Sequence, residues 1–159
     1  MTLATLSGSA PTGRQFARLA PSTRLTRGLV LAMAAAAALG GLLITDGATA
    51  AQAAARAGEG LTRLLRAMAA IKALMAAGVL AGVLWRLETP VGPPRLIAYA
   101  LSCAAMAAGP GLIWSMAHLG AGAMLLHLGL ISALVMLWRD PEAARRLSTA
   151  VAGRRRGDG

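Results

Sequence analysis

Three ionisable side chains fall inside long uncharged stretches of this chain: Lys72, His118 and His127. An ionisable group held in hydrocarbon is costly, and where one occurs it marks an ion path, a proton relay or a ligand site. The two histidines are the only ones in the 159 residues, and neutral imidazole ligates both metal ions and haem iron. Together they make a candidate membrane haem b or metal site, with Met106, Met116 and Met124 offering soft thioethers that suit copper(I). The competing reading is structural. Methionine fills irregular gaps in apolar cores, and a single histidine between membrane helices acts as hydrogen-bonding glue. Lys72 lies about five residues into its apolar stretch, close enough for its stem to lift the ammonium to the interface.

Whether the histidines can act together depends on the turn that positions them. Residues 96–138 form a run of 43 without Asp, Glu, Lys or Arg, too long for one span and enough for a helical hairpin. A turn at 118–122 leaves helices of about 22 and 17 residues and puts the histidines on adjacent antiparallel helices, with Pro110 inside the first. A turn at Gly109-Pro110-Gly111 leaves about 13 and 27. The histidines then sit nine apart on one helix, about 900° around its axis, and face opposite ways. The first division fits the bilayer better and is the expected one.

Small residues carry the other signal. Gly78-Val-Leu-Ala-Gly82 is a small-x-x-x-small motif, and Gly122 and Gly129 stand seven apart. Such positions let helix backbones approach closely in lipid, where burial of apolar surface no longer drives association. Familiar catalytic signatures are missing: the sequence has no Cys-x-x-Cys, His-Glu-x-x-His, Gly-rich phosphate loop or Gly-x-Ser-x-Gly. No expected span holds Asp or Glu, which disfavours a proton-coupled exporter with a midplane carboxylate. Cys103 is the single cysteine and falls in an apolar stretch, where it reads as a small buried hydrophobe.

The elements around these residues are membrane helices. The chain is 57% hydrophobic and 14% charged, too apolar for an ordinary soluble domain. An all-α, polytopic integral membrane protein of four spans is expected, near 28–45, 67–85, 96–117 and 121–138. A basic arm (1–27) precedes this membrane domain (28–138), and a basic tail (139–159) follows it. The stretch 48–66 reads as a short interfacial helix leading into span two, and 86–95, with three prolines, as an exposed loop.

Twelve of the sixteen basic residues lie on the side of the arm, the 86–95 loop and the tail. Arg56, Arg63, Arg66 and Lys72 lie on the other. This bias predicts cytoplasmic termini, in a bacterial inner membrane, with Trp85 and Trp138 as interfacial anchors and Arg24, Arg27, Arg139, Arg145 and Arg146 on lipid headgroups. A second reading of span one is a secretory signal cleaved at Ala48-Thr-Ala50, which would leave three spans. The net charge of +10 comes with only five aromatic residues and no basic face that would read nucleic acid, so no nucleic-acid partner is expected.

These features fit a small non-catalytic membrane subunit, an accessory or assembly partner of a larger complex or a homo-oligomer, with lipid and other membrane proteins or itself as partners. The alternatives are the haem or metal protein built on His118 and His127, and a small transporter or channel.

Overall fold

The structure, a computed structural model, describes residues 22–145 together with Ser148 and Thr149. The arm before residue 22, Arg146 and the basic tail from residue 150 lie outside the described residues. All regular structure among the described residues is helical: α1 (Thr23–Leu43), α2 (Gly47–Ala57), α3 (Glu59–Arg86), α4 (Pro93–Trp114) and α5 (Leu119–Arg139). Helices α1, α3, α4 and α5 are each long and apolar enough to cross a membrane. At 21 to 28 residues and about 1.5 Å per residue, they reach or exceed a hydrocarbon core of about 30 Å.

Local chemistry sets the helix ends. The Ser22 hydroxyl accepts from the Leu25 amide at the start of α1. Asp46 caps α2, accepting from the Thr49 amide at 2.8 Å and the Thr49 hydroxyl at 2.7 Å. These bonds, the backbone one foremost, hold its carboxyl below the usual carboxylate value. Gly58, at φ 79°, adopts a backbone conformation that glycine reaches without steric cost, and it separates α2 from α3.

Here the boundary departs from the sequence expectation. The interfacial helix ends at Ala57, and α3 starts at Glu59, so Arg63 and Arg66 share one continuous 28-residue helix with Lys72. The break is the positive φ of Gly58, whereas Gly60 in the first turn is tolerated. Pro93 and Pro94 open α4, where a missing amide costs nothing, and Pro110 is accommodated inside it.

The turn between α4 and α5 spans 115–118, earlier than the expected 118–122. Met116 takes φ 61° there. The Ser115 hydroxyl donates back to the Leu112 carbonyl at 2.8 Å and accepts from Thr45 at 3.1 Å. Gly120, read as a turn residue, instead belongs to α5.

Helix α4 is the hub. It packs chiefly on α5 and α1 and less extensively on α3, while α1 and α3 hardly touch each other. Close approach explains the glycines. A Cβ on Gly129 would lie 2.5 Å from the Met106 amide nitrogen, and one on Gly122 would lie 2.8 Å from the Gly109 carbonyl oxygen. Gly41 meets the Ala108 carbonyl in the same way, and Gly111 lies against the backbone at Gly41 and Leu42. Ser102 donates to Ser132 at 2.9 Å across α4 and α5, a bond worth on average about 0.6 kcal/mol between membrane helices. Cys103, Met106 and Tyr99 fill the remaining core on α4.

Candidate functional site

The polar chemistry of the bundle collects at the end where α1 and α4 begin and α3 and α5 finish. Arg86, the last residue of α3, donates through Nε to Asp140 Oδ2 at 2.7 Å, and the two side chains are only 4% and 3% exposed. Arg86 also donates to the Thr89 hydroxyl. The second Asp140 oxygen accepts from the Glu142 amide at 3.1 Å, and the buried Tyr99 hydroxyl of α4 interacts with the same carboxylate. Burial pushes the Asp140 carboxyl upward, but the Arg86 hydrogen bond, the Glu142 amide and the positive charges of Arg86 and Arg95 outweigh it and hold it below the usual value.

The carboxylate is therefore ionised at neutral pH. Among the described residues no buried side-chain nitrogen or oxygen lacks a partner. The cluster therefore works as a saturated clasp joining α3, α5 and α4. At the same end, Arg27 at the start of α1 pairs with Glu88 at 3.8 Å.

Sequence reasoning missed this clasp, because it assigned 86–95 to an exposed loop and Asp140 to the basic tail. Arg86 is instead a buried helical residue and Leu87 after it is buried as well. One signal was available. Arg86 and Asp140 each stand at the end of an apolar stretch, on the two spans that run in the same direction, so both reach the same depth.

Of the residues singled out for lipid headgroups, Arg24, Arg27, Arg139 and Arg145 gather at this end, with Arg24 and Arg139 exposed and Arg145 near Glu142 at 3.9 Å.

The histidines are not brought together. Because the turn precedes His118, that residue becomes the N-cap of α5 and His127 lies nine residues further along the same helix. They stand about 13 Å apart along the axis and half a turn out of phase, and both are exposed. His127 Nδ1 lies 2.6 Å from the Ala123 carbonyl of its own helix. The methionines diverge too: Met106 and Met116 are buried, whereas Met124 is 65% exposed. Among the described residues no group of three or more His, Cys, Asp or Glu side chains could hold a metal. The placement of His118 and His127 on adjacent antiparallel helices, expected from a turn at 118–122, therefore does not arise.

The glycines divide by face. Gly122 and Gly129 lie against the α4 backbone, whereas Gly78 has open space around its Cα and Gly82 has only the Leu137 side chain, 3.8 Å from where a Cβ would stand. The face of α3 carrying Gly78 is exposed.

At the opposite end from the clasp, an apolar cleft of ≈ 470 Å³ opens between α1 and α3 over the floor of α4. Alanines of α1 and α3 wall it, Met106 and Pro110 floor it, and Trp114 stands at its end. The Arg66 guanidinium lies over the Trp114 ring, 5.4 Å from its centroid.

No protein-family model, curated protein or solved structure matches the chain.

Proposed function

We propose that this chain is a small non-catalytic membrane subunit that assembles with the helix of a partner, in a larger inner-membrane complex or a second copy, along the Gly78–Gly82 face of α3. One observation carries the reading: Gly78 lies on an exposed apolar helix face with nothing within 4 Å of a Cβ built there. Gly41, Gly109, Gly111, Gly122 and Gly129 are used up by contacts inside the bundle, and a small-x-x-x-small face left in lipid is the surface on which a second helix can approach closely. The saturated clasp and the separated histidines support a structural rather than a catalytic role.

The sequence's charge bias, with the Arg-rich ends of α1 and α5 at the clasp end, supports an orientation with that end in the cytoplasm. The close seating of α1 on α4 through Gly41 and Gly111 supports retention of span one rather than its removal as a signal.

The test is assembly in mild detergent. Gly78→Leu should shift the native complex to the single chain while leaving the thermal stability of the bundle unchanged. A complex of unaltered size in that variant would overturn the reading.

A further inference from the structure

We propose that the cleft between α1 and α3 is a binding site for one anionic phospholipid, with an acyl chain along the alanine walls and the headgroup phosphate on Arg66. The site is independent of the Gly78 face, which lies on the far side of α3.

Its length matches a single leaflet. The α3 wall runs from Ala69 to Leu80 and the α1 wall from Leu31 to Leu42, eleven residue steps each, or about 16 Å of helix rise. That is half of a hydrocarbon core of about 30 Å. The α1 wall and the floor from Met106 to Trp114 run to the ends of α1 and α4 away from the clasp, and α3 continues past Ala69 through Arg66 toward its start at Glu59. The lining is almost wholly apolar, and ≈ 470 Å³ accommodates about 16 groups of water or methylene size at roughly 30 Å³ each. That volume suits one chain.

Charge at the mouth selects the headgroup. Arg66 stands four and seven residues before Ala70 and Ala73, so it shares their helix face and sits just above the cleft. Its neighbour Arg63 is paired with Glu59. Arg66 is exposed, packs on the Trp114 ring and, among the described residues, has no carboxylate partner. A guanidinium presents a planar fork of donors that fits phosphate, and stacking on a tryptophan at interfacial depth holds it at headgroup level.

The test uses Trp114 as the reporter. With Trp85→Phe and Trp138→Phe it is the only tryptophan left. The protein is reconstituted into phosphatidylcholine vesicles containing increasing fractions of dibrominated phosphatidylglycerol or dibrominated phosphatidylcholine. Half-maximal quenching should come at an about fivefold lower fraction of the anionic lipid, the factor that one basic side chain near an anionic surface supplies. Arg66→Gln should erase that difference, and Ala73→Leu, which fills the cleft, should weaken quenching by both lipids. Matching curves for the two lipids, or a preference that survives Arg66→Gln, would overturn the proposal. So would crosslinking of two copies through Ala73→Cys in a Cys103→Ser background with Trp114 shielded from both brominated lipids, since a second copy would then occupy the cleft.

Discussion

Replacing Asp140 by Asn removes the charge that Arg86 is buried against while preserving the shape of the side chain. Removing one partner of a buried ion pair costs about 3–5 kcal/mol, because the other charge stays desolvated and uncompensated. The pair here is 4% and 3% exposed, so little solvent screening reduces that figure. For a chain of this size about 1 kcal/mol corresponds to roughly 3 °C in melting temperature, and Asp140→Asn should therefore melt about 10 °C lower.

The assay is thermal unfolding in detergent followed by circular dichroism, with pH as a second axis. Asp140 titrates below its ordinary value of 3.8 when folded. Its contribution is therefore fully present above the unfolded value and is lost as pH falls through the lower folded one. The deficit of Asp140→Asn relative to the parent should be constant from neutral pH down to the ordinary carboxylate range and shrink only below 3.8.

A control separates the pair from its parts. Arg86→Met with Asp140→Leu removes both charges together, and apolar replacement of a buried pair is often neutral, so the double variant should recover most of the loss. A melting temperature for Asp140→Asn within a degree of the parent, or a double variant as unstable as the single one, would refute the clasp.

Two further outcomes follow from the packing and the charge bias. Gly129→Leu must displace the α4 backbone at Ser102 and Met106, and overpacking of this kind should lower stability by about 1–3 kcal/mol in the same melting assay. A cysteine at Pro90, in a Cys103→Ser background, should resist a membrane-impermeant maleimide in intact cells and react once the membrane is opened. Labelling in intact cells would reverse the proposed orientation.

The four spans were legible in the sequence because charge-free runs of span length have few alternatives in water or lipid. The positions of their ends were less so. Gly58 and Gly120 look alike as letters, yet one breaks a helix through a positive φ and the other continues one. Neither has a neighbour within 4 Å of where a Cβ would stand, so only the backbone angle tells them apart. The turn at 115–118 depends on Ser115 bonding to Thr45 of the distant α1 end, a contact that local pattern does not contain. The clasp was hidden for the same reason, since Arg86 and Asp140 are 54 residues apart and each, read alone, resembles a helix stop.

The two ends of the bundle differ in a way that unites these observations. At the clasp end, Arg86 with Asp140, Arg27 with Glu88, and Tyr99 tie together elements from all four spans. At the other end, polar ties are fewer: Thr45 bonds to Ser115, and Arg66 of α3 reaches Trp114 of α4 through a ring contact. Helices α1 and α3 each lie on α4 and scarcely touch each other, and the alanines that would let them approach line a cleft instead. Small side chains thus serve opposite ends on the same bundle. Where α4 meets α1 and α5 through Gly41, Gly111, Gly122 and Gly129, they bring backbones into contact, and where α1 faces α3 they leave room. A spacing rule cannot separate these cases, because the decisive variable is whether a helix axis lies across from the small residue.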